Sequence, residues 1–105
     1  MPAFPATPLG ERGETAIDIL GNRIRVAIIG CLRKKGPSLR GDIAAELGLP
    51  SGSVSNQLAV LVKAGVIATD PPEGQIRPGG RVLYSVVTDR VEDLYKALGE
   101  ALQIG

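Results

Sequence analysis

The spacing of apolar residues changes along this chain at Gly65 and changes back near Asp89. Before Gly65, apolar side chains recur every three or four positions, which predicts α-helix. After it come two short runs rich in β-branched residues, Val66–Thr69 and Arg81–Thr88, which predict two strands of a β-hairpin, and then a helical pattern over Asp89–Leu102. A chain of 105 residues builds one small domain. We therefore predict a single domain that is mainly α-helical and carries a small β-hairpin.

The first part of the chain divides into a tail and a helical segment. Met1–Gly13 contains three prolines and little periodic apolar content, so we expect a flexible tail, with the folded domain covering residues 14–105. From Glu14 to Lys35 the sequence predicts a helix with a break near Gly21 and Asn22. Its apolar stripe consists of Ile17, Leu20, Ile24, Ile28, Cys31 and Leu32.

Three further apolar residues of this segment, Ile19, Val26 and Ile29, lie off the stripe. The helix is therefore apolar on more than one side. Because a domain of this size has no second core to cover these residues, we expect this segment to pack against a partner chain.

Two short helices joined by a tight turn occupy the middle of the chain. The first is predicted over Arg40–Leu47, with Ser38 as a candidate cap. Gly48 lies in the turn, and the second helix covers Gly52–Ala64 with Ser51 as its N-cap. This arrangement is typical of a helix-turn-helix.

The second of these helices has one apolar face and one uncharged polar face. Val54, Leu58, Leu61 and Val62 follow core spacing, whereas the opposite face carries no carboxylate and consists of Ser53, Asn56, Gln57, Val60 and Lys63. Amide side chains can bond adenine in the DNA major groove, and hydroxyls can bond bases or phosphates. A polar helix face without any ligand is the alternative, and this segment alone does not choose between them.

Charge is distributed unevenly although the formal net charge is only +1. Residues 23–40 contain six cations and no carboxylate, while residues 82–105 contain four carboxylates and two cations. This distribution is compatible with a protein that turns one basic face toward the phosphates of a nucleic acid. On charge alone, ordinary solvated surface charges are the more common explanation, because such clusters occur on many proteins.

The spacing as a whole resembles the winged helix-turn-helix repressors of the ArsR type. LGNRIRVAIIGCL (20–32) is similar to the first conserved helix of that family, with Arg25 and Ile28 at its Arg and Ile positions. IAAELGL (43–49) and SGSVSNQL (51–58) resemble its two-helix DNA-binding unit. LVKAGVI (61–67) and GRVLY (80–84) resemble the step into the wing and the returning wing strand.

This resemblance implies a dimeric winged helix-turn-helix repressor that binds double-stranded DNA, with the first and last helices forming the homodimer interface. A two-fold dimer implies a palindromic operator with half-sites about 34–36 Å apart. The resemblance implies that the second helix contacts the bases and that the cations flanking this helix contact phosphates. It also implies that the wing contacts the DNA backbone or the minor groove. The DNA-binding residues it implies are Arg40, Ser51, Ser53, Ser55, Asn56, Gln57, Lys63, Arg77 and Arg81.

The sequence departs from the metal-sensing members of the family. Where those members carry a cysteine pair, this chain has Leu39, Arg40 and Gly41, and it has no histidine. The carboxylates near the start of the last helix suit its dipole, and thiolate or imidazole ligands are missing. We therefore expect no metal and no other cofactor, and whether a small-molecule inducer exists stays open.

Other functions are less well supported by the residues. The chain has no histidine, and we expect Cys31 to be a core residue because it lies on an apolar stripe. No pair of nucleophile and base can therefore be assembled, and we do not expect an enzyme. No signal peptide or membrane-spanning stretch is recognisable, which favours a cytoplasmic location. The alternative to a DNA-binding regulator is a winged-helix module that binds another protein.

Overall fold

Five α-helices and a three-stranded antiparallel sheet are formed within residues 9–104, the part of the chain that this computed structural model describes. This arrangement confirms the predicted mainly helical class with a β-hairpin wing. The elements are α1 (Gly10–Leu20), α2 (Arg23–Lys35), β1 (Ser38–Leu39), α3 (Arg40–Leu47), α4 (Ser51–Lys63), β2 (Ile67–Asp70), β3 (Leu83–Val86) and α5 (Thr88–Ala101).

The predicted break in the first helical segment lies at Gly21 and Asn22, between α1 and α2. The Gly21 amide donates to the carbonyl oxygen of Ile17, and a Cβ at Gly21 would lie 2.4 Å from that oxygen. Asn22 then caps α2, because its Oδ1 accepts from the amides of Ile24 at 2.9 Å and Arg25 at 3.1 Å. Two otherwise unpaired donors at the start of the helix are thereby satisfied.

Replacing Asn22 with alanine should lower the free energy of unfolding by about 1 kcal/mol, because the cap of α2 is lost. Urea denaturation at neutral pH measures this change. Asn56→Ala is the matched control, since Asn56 is an exposed amide within α4 and caps no helix. Equal losses of stability in the two variants would show that the cap bonds of Asn22 contribute nothing.

The turn between α3 and α4 is built by Gly48, which has a φ of 65° and ends α3 in the left-handed conformation. The Leu49 amide bonds back to the Ala44 carbonyl oxygen at 3.0 Å. The predicted role of Ser51 as the N-cap is wrong: Pro50 is the N-cap and makes no side-chain cap bond, so Ser51 is already the first helical residue. The extended backbone of Pro50 places its carbonyl oxygen to accept from the amide of Val54.

Ser38 was also predicted as a cap, of α3, but that position belongs to Leu39. Ser38 instead lies in β1, where its Oγ donates to the Gly36 carbonyl oxygen at 2.9 Å. The sheet has the order β1–β3–β2, with β3 paired to both neighbours. The predicted hairpin is therefore present, and β1 is an additional edge strand held by Leu83 and Tyr84 of β3.

The core contains the buried faces of α2, α3 and α4, as predicted for Cys31 and for Val54, Leu58 and Leu61. The prediction that Ile19 and Ile29 need a partner chain is wrong, since both are buried within the domain. Val26 is exposed as predicted, at 47%, and Ile17 of the predicted stripe is exposed as well, at 42%. The separation of the segment into α1 and α2 explains this difference, because the predicted stripe does not continue through the break.

α1 begins at Gly10, so residues 10–13 are helical rather than part of the predicted tail; residues 1–8 lie outside the described residues. α1 packs along α5, and Arg12 joins the two helices. Its guanidinium bonds the carboxylates of Asp93, at 2.9 Å, and Glu100. The hydrogen bond from Arg12 lowers the pKa of Asp93. These contacts with a distant helix order a segment whose local composition predicts flexibility.

Candidate nucleic-acid interface

The two faces of α4 are separated as the sequence predicts. Val54, Leu58 and Leu61 of its apolar side are buried in the core and Val62 is partly buried, which fixes the rotation of the helix in the domain. On the opposite side Asn56 is exposed and Ser53 is half-buried. Neither side chain forms a hydrogen bond within residues 9–104, so both retain their donors and acceptors for a ligand.

A groove of about 220 Å³ lies between the start of α3 and the strand that returns from the wing. Arg40 and Gly41 line one wall, and Arg81 and Tyr84 line the other. Arg40 also reaches α4, where its Nη1 donates to Ser55 Oγ at 3.2 Å. The fold thus brings together Arg40, Ser55 and Arg81, which are 15 to 41 positions apart in sequence.

Gln57 has an environment different from that of Asn56. It is half-buried, and its Oε1 accepts a hydrogen bond from Arg25 Nε at 2.8 Å. Arg25 belongs to α2 and also donates to the Asp18 carbonyl oxygen at 2.7 Å. Sequence reasoning did not place Arg25 in the site; its position within the resemblance to the ArsR type was the available signal.

The other predicted site residues lie at the two ends of α4 and in the wing loop. Ser51 is exposed in the first turn of α4, and Lys63 is exposed at its last residue. Arg77 is exposed in the wing loop, which contains a short 3-10 helix at Glu73–Gln75, but it does not line the groove with Arg40 and Arg81. The structure therefore joins Arg40, Ser55 and Arg81 and leaves Arg77 apart.

The cations of the site are not neutralised by ion pairs. Across residues 9–104, no carboxylate lies within 4.0 Å of the charged nitrogens of Arg40, Lys63, Arg77 or Arg81. Lys35, by contrast, pairs with Glu46 at 2.6 Å, and this hydrogen bond raises the pKa of Lys35. Unpaired arginines at a groove are suited to binding an anion such as phosphate.

Two of the acidic residues of α5, Asp93 and Glu100, are used structurally. Asp93 contacts Arg12 and, at 3.8 Å, Arg90.

Among the described residues, no three His, Cys, Asp or Glu side chains are grouped so as to hold a metal ion. No helix within that part of the chain is long and apolar enough to cross a membrane.

Comparison with protein families finds a helix-turn-helix domain over residues 20–70, which span α2, α3, α4 and β2. A comparison with curated protein sequences finds no match. Among solved structures, the chain is similar to AntR, an antimony-specific transcriptional repressor, with 26% identity and a TM-score of 0.64 over 96% of this chain and 90% of that one.

Two further structures have the same fold at lower identity. NolR from Sinorhizobium fredii is 24% identical with a TM-score of 0.61, and the match covers 98% of this chain and all of that one. Reduced AbfR bound to DNA is 13% identical with a TM-score of 0.55, over 86% of this chain and 66% of that one. The described residues thus form a helix-turn-helix within a winged-helix fold.

Proposed function

We propose that this helix-turn-helix protein is a transcriptional regulator that binds double-stranded DNA in a sequence-specific manner and is not an enzyme. The observation that carries this proposal is the exposed face of α4. It offers uncharged hydrogen-bonding side chains and includes no carboxylate, and through Ser55 it contacts Arg40, which lines a groove together with Arg81. Such a helix can enter the major groove while its cations bind the phosphates on either side.

In this proposal the residues divide into two groups by the part of DNA that they contact. Asn56 and Gln57 contact base edges, with Ser51, Ser53 and Ser55 near the bases or the adjoining backbone. Arg40, Lys63 and Arg81 bind phosphates, and Arg77 brings the wing to the backbone or minor groove. The contact between Arg40 and Ser55 supports this division, because it holds a phosphate-binding cation against α4.

We further propose that the protein acts as a homodimeric repressor of the ArsR type on a palindromic operator, with α1 and α5 at the interface. α1 packs on α5, and the outer surface of α5 carries Tyr95, 74% exposed, and Leu102, 60% exposed. Together with Leu98 and Ile104 they line an apolar groove of about 390 Å³. The similarity to AntR, a repressor, over nearly the whole of both chains supports the same role here.

Asn56→Ala should relax the preference for one base pair in each half-site, at a cost of about 1–3 kcal/mol against the preferred sequence. Selection from a randomised duplex library followed by titration of the selected duplexes measures this change. Gln103→Ala is the matched control, because it removes an exposed amide that is distant in sequence from α4. It should leave the preference for each base pair unchanged.

The same experiment separates DNA binding from binding to another protein. Duplex affinity that falls steeply with salt is expected for a regulator that neutralises phosphates. If wild-type protein binds no duplex, or binds all duplexes alike, sequence-specific recognition by α4 is wrong and a protein partner becomes the better explanation.

A further inference from the structure

The contact between Arg25 and Gln57 connects the inside of the domain to the exposed face of α4. Arg25 Nε donates to Gln57 Oε1 at 2.8 Å. On its other side Arg25 is held by the Asp18 carbonyl oxygen at 2.7 Å, and its side chain is only 16% exposed. The guanidinium is largely covered and is bound to the main chain of α1. Its hydrogen bond to Gln57 therefore restricts the rotation of the Gln57 amide.

The chemistry of this contact decides which end of the Gln57 amide remains available. A guanidinium has only donors, so it can meet only the carbonyl oxygen of a glutamine. The amide nitrogen therefore lies on the side away from this bond, and it donates to no group within residues 9–104. Gln57 offers two N–H donors to a ligand, while the bond from Arg25 occupies one of the two acceptor positions of its oxygen and turns that oxygen toward α2.

We infer, on the basis of the proposed DNA-binding function, that Arg25 makes Gln57 a donor-only contact that selects guanine. A glutamine binds adenine with two bonds, its NH₂ donating to N7 and its oxygen accepting from the N6 amino group, so both ends of the amide must face the base. Arg25 disfavours this arrangement because it holds the oxygen of Gln57 toward α2. Guanine presents N7 and O6 as neighbouring acceptors, which match an outward NH₂ group, whereas cytosine presents a donor. Arg25 is a positioning residue, since it acts on the base through Gln57.

Selection from a randomised duplex library with the full chain tests this inference. The base position that Gln57 contacts is the one at which Gln57→Ala loses its preference. Wild type should prefer guanine there over adenine by roughly tenfold. Arg25→Met retains an unbranched apolar stem but removes the donor, so the amide becomes free to rotate and the preference should shift to adenine.

Gln57→Glu provides a second test that keeps Arg25 and its contact. The glutamate accepts from Arg25 with one oxygen and presents the other to the groove, so the preference should change from guanine to cytosine, whose N4 is a donor. Circular dichroism of each variant establishes that the fold is retained. If Arg25→Met does not fold, the wild-type preference decides: guanine over adenine supports the role of Arg25, and adenine over guanine overturns it, because an unrestrained glutamine amide matches adenine.

The possible failures are distinguishable. Duplex binding with an unchanged guanine preference in Gln57→Glu, or with no position altered by Gln57→Ala, overturns this inference and leaves the proposed function intact. If wild type selects no sequence above background even at low salt, the proposed function fails and this inference fails with it.

Discussion

A chain carrying Tyr95→Glu and Leu102→Glu should be monomeric and should bind a palindromic operator about 100-fold more weakly than wild type does. The physical reason is that both side chains belong to the exposed apolar surface of α5, and a buried carboxylate without a partner is costly at an interface. Without the dimer, the second half-site no longer benefits from the binding of the first. Sedimentation measures the oligomeric state, and titration of a labelled operator measures affinity.

Two controls separate dimerisation from damage to the DNA-binding surface. Affinity for a duplex with a single half-site should be similar in the double variant and in wild-type monomer, because α4 is unchanged. Tyr95→Phe preserves the apolar surface and should retain both the dimer and the operator affinity. A double variant that remains dimeric would exclude this face of α5 as the interface.

Removal of both groove arginines, Arg40→Ala with Arg81→Ala, should weaken every duplex by about 100-fold or more at moderate salt while leaving the order of preferred sequences unchanged. Each proposed dimer would lose four phosphate contacts. The slope of log affinity against log salt concentration should therefore become shallower by about 4, since each contact contributes roughly 0.9. Titrations between low and moderate salt measure both quantities.

Arg33→Ala with Lys34→Ala is the matched control for this prediction. These residues are exposed cations at the end of α2 that lie outside the groove, and their removal changes the net charge equally. Affinity and slope should change much less than in the groove variant. Equal effects in both double variants would mean that net charge, and not the groove lined by Arg40 and Arg81, determines DNA affinity.

Local sequence patterns were sufficient to predict most of the helices. The break at Gly21 and Asn22, the turn at Gly48 and the change of spacing at Gly65 each depend on neighbouring residues, so their signals are present within a few positions of the chain. The apolar side of α4 could also be predicted, because its burial follows from helical periodicity. The exposure of Asn56 on the opposite side follows from the same periodicity.

The tertiary structure decided the features that depend on residues distant in sequence. β1 contains two residues and exists because β3 lies beside it, more than forty positions later. α1 begins earlier than its composition predicts because Arg12 finds its carboxylate partners on α5.

The same limit applies to the candidate site. Sequence could assign Gln57 to the polar side of α4, but the bond to Arg25 depends on how α2 crosses that helix. Periodicity along one helix indicates which side of that helix faces inward. It contains no information about which residues of other helices contact that side. The sequence by itself therefore determined the elements and their faces, whereas helix packing decided which polar groups remain available.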